Sequence, residues 1–269
     1  MSRLSTPVLM VGAGHMGGAL IAGWRRSGAL EPSDLILRDP HPGSEAERAG
    51  ADGAALNGPD GDLMSARVVI LAVKPQAWRP IASSIAPLLA ADAVIISIMA
   101  GVAVASLAEV FSSHAVVRVM PTTAAAVNKG AASLWSSDAR GLEVARALFA
   151  PLGVTVDLAE EAMMHVATAA SGSAPAYVYA LIEALEAAGA EAGLSADAAR
   201  VLSRSALIGA AALLEKSGEA AGDLRRQVTS PGGTTEAALA VLIGDNALGD
   251  MMSRAVRAAV ARSMELGSR

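Results

Sequence analysis

The chain has 269 residues, a net charge of −5, no cysteine and 53% hydrophobic residues, with a mean hydropathy of +0.44. These values exclude disulfides, thiolate metal sites and a cysteine nucleophile, and they leave no basic footprint for nucleic acid. The length provides for one large domain or two modest ones. The apolar runs stop short of a membrane span and no secretory leader precedes the first strand, so the sequence is expected to be cytoplasmic, with surface buried between subunits.

The first half alternates strand and helix. Pro7 to Val11 is a short apolar run ending in Gly12-Ala13-Gly14-His15-Met16-Gly17, and an apolar helix follows through Ala19, Leu20, Ile21 and Trp24 to Gly28. Asp34 to Leu37 is a second strand, ending at Arg38-Asp39-Pro40. Strand, G-x-G-x-x-G turn, helix and strand in about 30 residues meet the requirement of a dinucleotide fold. Gly12 suits the tight turn, Gly14 the close approach of backbone to a pyrophosphate, and Gly17 the packing of helix on strand. At the end of the second strand a carboxylate binds the ribose hydroxyls of NAD, and an arginine accommodates a 2′-phosphate. Arg38 therefore favours NADP, while Asp39 keeps NAD open.

Arg67 to Val73 reads as a buried parallel strand ending in Lys74-Pro75-Gln76. Ala93 to Ile98 is a further strand followed by Ala100-Gly101, and Ala115 to Val119 another, followed by Met120-Pro121-Thr122-Thr123. Ligands in open α/β sheets bind at the carboxyl ends of strands, so these three turns outline one wall of a crevice. Leu134-Trp135 and Val154 to Val156 complete the sheet, with a helix over Gly141 to Pro151 between them.

The alternation stops after about Asp157. Helical patterns cover Glu160 to Ala170, Pro175 to Ala192, Ala196 to Lys216 and Leu248 to Leu266. Ala176 to Ala190 is apolar on nearly every face except Glu183 and Glu186, and a partner subunit is the simplest way to bury it. Residues 1–160 are thus read as a mostly parallel α/β Rossmann-like domain, and residues 161–269 as an all-α dimerisation and substrate-binding domain. The run Ser230-Pro231-Gly232-Gly233-Thr234-Thr235 interrupts the helical tract. Proline and two glycines there form the mouth of the helix Thr234 to Ile243, a seat for an anion such as a carboxylate or else a plain helix start.

Hydride transfer from an alcohol, or in reverse to a ketone, calls for a general acid or base near the substrate oxygen. The helical half contains one lysine, Lys216, at a helix end, and His165, a lone histidine among apolar residues. His15, His41, His114 and His165 show no metal-ligand spacing, so no metal is expected. Hydroxyls and backbone N–H groups without a strong base suit a substrate already activated for hydride acceptance, such as a protonated C=N bond.

With these features in place, the sequence resembles the Δ1-pyrroline-5-carboxylate reductase family along essentially its whole length. The resemblance rests on Gly12 to Gly17, Ala72-Val73-Lys74-Pro75, Ser97 to Val102, Arg118-Val119-Met120-Pro121, Ser171 to Tyr177, and Ser230 to Thr235. It implies reduction of 1-pyrroline-5-carboxylate to L-proline by NADPH, with NADH possible. It also implies a homodimer interlocked through the helices, sometimes stacked into a ring of dimers. In the family the active site lies between the cofactor domain of one subunit and the helices of its partner. The resemblance assigns the substrate carboxylate to Ser230, Gly232, Gly233 and Thr234, with Ser171 nearby, and the ring nitrogen to Thr235, the catalytic candidate. It assigns the cofactor to Gly12, Gly14, His15, Met16, Gly17, Arg38, Ala72, Val73, Lys74, Pro75, Ala100 and Thr122. Where the family usually reads Met-Pro-Asn-Thr-Pro, this chain has Met120-Pro121-Thr122-Thr123-Ala124. That departure leaves open another cyclic imine or related small carboxylate as substrate. The lack of a strong acid or base leaves open a catalytically silent NADP-binding oligomer.

Overall fold

The structure, a computed structural model, describes residues 4–267. It separates into two compact units, one running to Ser173 and including the stretch from Ala259 onward, the other Ala174–Ala258.

The first unit is built on an eight-stranded sheet. In chain order its elements are β1 (Val8–Val11), α1 (His15–Ser27), β2 (Leu35–Arg38), α2 (Ser44–Ala51), β3 (Ala55–Leu56), β4 (Val68–Leu71), α3 (Trp78–Ile85), β5 (Val94–Ser97), α4 (Val104–Ala108), β6 (Ala115–Pro121), β7 (Gly130–Trp135), α5 (Ala139–Phe149), β8 (Gly153–Asp157) and α6 (Met163–Ala167). The strand order is β3-β2-β1-β4-β5-β6-β7-β8. Every neighbouring pair is parallel except β6–β7, which is antiparallel with Arg118 opposite Trp135.

The unbroken apolar runs in the sequence follow from helices covering both faces of the sheet. On β1, Val8 and Met10 pack toward α1 and α5, while Leu9 and Val11 pack toward α3 and α4. Trp24 anchors the first face. Its indole N–H donates to Leu148 O at 2.8 Å, and its ring meets Phe149 edge-on at 6.3 Å. On the second face Trp78, Phe111 and Ile95 are buried together.

Several elements differ from the sequence reading. The second strand begins at Leu35, because Pro32–Asp34 forms a 3-10 turn closed by a capping box between Glu31 and Asp34. Helix α2 and the two-residue β3 carry too little apolar pattern to be read. The strand expected at Leu134-Trp135 extends back to Gly130 and runs antiparallel, because the turn Thr123–Val127 ends at Asn128 in the left-handed conformation (φ 55°) and reverses the chain tightly. The helix expected over Glu160 to Ala170 is α6 alone, continuing into a π-helical turn over Thr168–Gly172.

The second unit contains α7 (Ala174–Glu191), α8 (Ala196–Ser217), α9 (Ala221–Gln227), α10 (Thr234–Ile243) and the first part of α11 (Ala247–Gly267). Ser195 caps α8 by accepting the Ala198 N–H at 3.2 Å, and Gly218 ends it in the left-handed conformation. No residue of α7 or α10 is buried in the single chain. Leu181, Leu185, Val201, Leu202 and Ile208 stand exposed, an apolar surface that calls for a covering subunit. Among the described residues no helix is long and apolar enough to cross a membrane.

Candidate active site

The glycine turn between β1 and α1 shows why each glycine is needed. Gly12 has φ +94°, and a Cβ there would lie 2.7 Å from the carbonyl of Ala72 and 2.9 Å from Val73 N. The turn after β1 therefore lies against the end of β4, bringing Gly12, Ala72 and Val73 together. A Cβ on Gly17 would come within 2.5 Å of Gly12 O. Gly14 differs, because a Cβ on it would meet nothing within 4 Å. Gly14 is the N-cap of α1, which has neither a side-chain cap nor an acidic residue in its first turn. His15 is exposed and Met16 half-buried beside it. An open Gly14 face under an uncapped helix N-terminus fits the pyrophosphate of a dinucleotide.

At the end of β2, Arg38 and Asp39 both have partners within the chain. Arg38 donates to Gly58 O, to Pro59 O at 2.8 Å and to Asp60 Oδ1 at 3.3 Å, and its side chain is 19% exposed. The Asp39 carboxylate accepts the Ala13 N–H at 2.6 Å and the His41 N–H at 2.8 Å, so it holds the glycine turn itself. Asn57, with φ 49°, pins the Asp39 backbone on both sides: its Oδ1 accepts from Asp39 N at 3.0 Å and its Nδ2 donates to Asp39 O at 2.8 Å. The sequence reading did not single out Asn57, and the only local signal for it is an Asn-Gly turn at Asn57-Gly58.

The turns after β4, β5 and β6 lie at one edge of the sheet, as parallel pairing requires. Lys74 is exposed, and its carbonyl accepts the Ala77 N–H at 2.9 Å. Pro75 and Gly101, the latter next to Ala100, line a cleft of about 450 Å³ with Gln76, Trp78 and Leu266. Gly101 has φ +82°, and a Cβ on it would lie 2.7 Å from Gly267 N, so the end of α11 packs directly on this loop.

Thr122 is 5% exposed. Its N–H donates to Ala131 O at 3.0 Å, and its Oγ1 accepts the Ala131 N–H at 3.0 Å. The hydroxyl thus takes the place of the Thr122 carbonyl in the β6–β7 ladder, which frees that carbonyl to accept Ala125 N–H at 3.0 Å. Ser171 sits on the π turn, a local form often associated with functional sites. The adjacent Gly172 faces Met120, whose Cγ lies 3.5 Å from the position of an added Cβ.

In the second unit, Ser230 O accepts the Gly233 N–H at 3.0 Å, with Pro231 and Gly232 (φ +70°) between them. Proline followed by a positive-φ glycine is a type II turn. It delivers the chain into α10 with Gly233 as an N-cap that has no side chain to offer. Among the described residues nothing accepts from the N–H groups of Thr234 or Thr235. Glu236, missed in the sequence reading, reaches back so that its Oε2 accepts the Gly232 N–H at 2.7 Å. Gly233 N–H and Gly232 N–H are therefore spent on shaping the loop. The donors left for an anion are the N–H groups of Thr234 and Thr235, beside the hydroxyls of Ser230, Thr234 and Thr235.

A buried polar cluster lies elsewhere in the first unit. Arg118 on β6 is 3% exposed and pairs with Glu161 Oε1 at 2.9 Å. The same oxygen accepts the Val104 N–H at 2.8 Å. His165 Nδ1 lies 2.9 Å from Ser263 Oγ. Burial pushes the His165 pKa below its ordinary value and the Arg118 charge adds to this, while Glu161 opposes both. No group of three or more His, Asp or Glu side chains forms a metal site among the described residues.

Two family models match the chain. Residues 161–266 match a model for pyrroline-5-carboxylate reductase dimerisation, and residues 7–101 match one for coenzyme F420-dependent NADP oxidoreductases. A pyrroline-5-carboxylate reductase of Pseudomonas aeruginosa is 37% identical over 98% of both chains, and one of Pisum sativum is 35% identical over 95% of this chain and 94% of the other. The crystal structure of the Plasmodium falciparum enzyme with NADP bound superposes with a TM-score of 0.84 at 26% identity, covering 98% of this chain and 99% of the other. The solved structure of a Coxiella burnetii pyrroline-5-carboxylate reductase gives 0.88 at 27% identity, covering 97% of this chain and 98% of the other. A mostly parallel sheet carrying a dinucleotide turn, a helical region matching a dimerisation model, and identity along nearly the whole length agree with one another, and the chain belongs to the pyrroline-5-carboxylate reductase family.

Proposed function

We propose that this protein reduces 1-pyrroline-5-carboxylate to L-proline, taking its hydride from NADPH in preference to NADH. The observation that carries the reading is the mouth of α10, where a type II turn leaves the N–H groups of Thr234 and Thr235 without acceptors among the described residues, next to three hydroxyls. Such a mouth suits a carboxylate, and the helix dipole adds to the attraction.

The reduced nicotinamide, when bound, supplies a hydride for the carbon of the C=N bond. The remaining work falls to the chain. Gly12, Gly14 and Gly17, with the N-terminus of α1 at His15 and Met16, hold the pyrophosphate. Ala72, Val73, Lys74, Pro75, Ala100 and Thr122 border the rest of the dinucleotide, and Arg38 takes the 2′-phosphate by exchanging its pairing with the exposed Asp60. Asp39 is committed to Ala13, which weakens the case for a ribose-reading carboxylate and hence for NAD. Ser230, Thr234 and Thr235 hold the substrate carboxylate, with Gly232 and Gly233 shaping the loop and Ser171 contributing a hydroxyl. The Thr235 hydroxyl hydrogen-bonds the ring nitrogen and orients the iminium. An already electrophilic carbon needs placement and shielding from water more than a strong acid.

On this reading the protein works as a homodimer interlocked through the helices of residues 161–269, and such dimers can stack into a ring. The test is NADPH oxidation with 1-pyrroline-5-carboxylate, run beside Thr235→Ala. Turnover that drops sharply in the variant while NADPH affinity holds supports the reading. Absence of turnover in the wild type, with tight NADPH binding, replaces it with a nucleotide-binding oligomer.

A further inference from the structure

Arg118 and Glu161 present a physical puzzle. Burying an ion pair contributes little net stability, because desolvation cancels most of the attraction, and apolar residues of similar size do as well or better. The pair is nevertheless almost fully enclosed at Arg118 and joins residues 43 positions apart. What distinguishes it is the second bond at the same Glu161 oxygen, to Val104 N. Val104 opens α4 and closes the loop that begins at Ala100 and contains Gly101. Arg118 lies two residues before Met120 on β6, and Met120 faces Gly172 of the π turn. Glu161 lies just ahead of α6, whose Met164 is buried and whose His165 meets Ser263. The segment then runs into the π turn, closed by Ser173 N–H donating to Thr168 O at 2.8 Å. One carboxylate therefore ties three segments: the loop after β5, the middle of β6 two residues before Met120, and the approach to Ser171.

We propose that Arg118 and Glu161 are positioning residues for the reduction, clamping the Ala100–Val104 loop, the Met120 end of β6 and the Ser171 turn in one register. The inference rests on the proposed function, since those segments border the dinucleotide and the imine on that reading. The pair touches neither ligand, and its effect is geometric. Small misplacements of a reacting pair cost about 10²-fold in rate, so the loss falls on kcat and leaves NADPH affinity, set mainly at the glycine turn, unchanged.

The experiment compares wild type with Glu161→Ala, Glu161→Gln and the double variant Arg118→Met/Glu161→Met, measuring melting temperature, NADPH Kd, and kcat and KM for 1-pyrroline-5-carboxylate. Glu161→Ala is expected to melt lower, because it strands the Arg118 charge, and to lose kcat by about 10²-fold. Glu161→Gln keeps an acceptor for Val104 and retains more kcat than Glu161→Ala. The double variant removes both charges and recovers melting temperature without recovering kcat. A double variant whose kcat returns with its stability overturns the inference and makes the pair merely structural, as does equal kcat in Glu161→Gln and Glu161→Ala. No turnover in the wild type removes the proposed function and the inference with it. Wild-type turnover with unaffected variants removes the inference alone.

Discussion

Gly14→Ala separates cofactor binding from folding. Gly14 has φ −74° and ψ −145°, at the margin of the extended region, and its added Cβ would touch nothing within 4 Å. Replacing glycine by alanine stabilises by about 0.4–1 kcal/mol by restricting the unfolded chain, and the marginal ψ takes back part of that gain. Alanine is a poorer N-cap than glycine, and that offsets the gain. The folded apo-protein should therefore melt within about 2–4 °C of wild type, the shift that about 1 kcal/mol produces in a domain of this size. The methyl nevertheless fills the space a pyrophosphate needs in order to reach the N–H groups of α1. Losing one charge-assisted hydrogen bond costs about 1.5–3 kcal/mol, so NADPH Kd should rise roughly 10- to 100-fold. Titration of NADPH by quenching of tryptophan fluorescence, with thermal melts of both apo-proteins, gives the two numbers. Gly17→Ala is the control: its Cβ falls 2.5 Å from Gly12 O, so stability and affinity should drop together. An unchanged NADPH Kd in Gly14→Ala, or a large loss of apo stability, refutes the reasoning.

Arg38→Ala should weaken NADPH more than NADH, since only the former carries a 2′-phosphate for the guanidinium to meet; equal losses in paired titrations would remove Arg38 from cofactor choice. His165 supplies a pH dependence whose sign is fixed. Its pKa in the fold lies below the ordinary value of 6.5, so as the pH falls through about 6.5 the unfolded chain takes up a proton that the folded one resists. Stability should fall from there down to the folded pKa and then level off. Denaturant midpoints measured from neutral pH to about 5.5 should decline more steeply in wild type than in His165→Gln; parallel slopes would refute this.

The sequence shows local features well and distant ones poorly. The turn from Gly12 to Gly17 is legible because its function is written in backbone angles, and so is the Pro231-Gly232 turn. The short β3 and the orientation of β7 are not legible, since Ala55–Leu56 offers two residues of pattern and the reversal depends on Asn128 adopting a positive φ. At the site, the sequence identifies Arg38, Asp39 and Thr122 as side chains but not what they do. Asp39 grips Ala13 from 26 residues away, and Thr122 substitutes its hydroxyl for a strand carbonyl. Glu161 is one of 26 acidic residues in the sequence, and only its contacts with Arg118 and Val104 distinguish it.

The exposed apolar faces of α7 and α10 change what stability means for this protein. In a helix with no buried residue in its own chain, most of the ordering entropy must be offset by contacts that exist only after association. The free energy of the Ala174–Ala258 unit then contains a mass-action contribution, and dilution acts on it much as a denaturant would. The sheet unit, with Trp24, Phe149 and Ile95 enclosed within the chain, has a main core that needs no association. Protein concentration thus couples strongly to one unit of the molecule and only weakly to the core of the other.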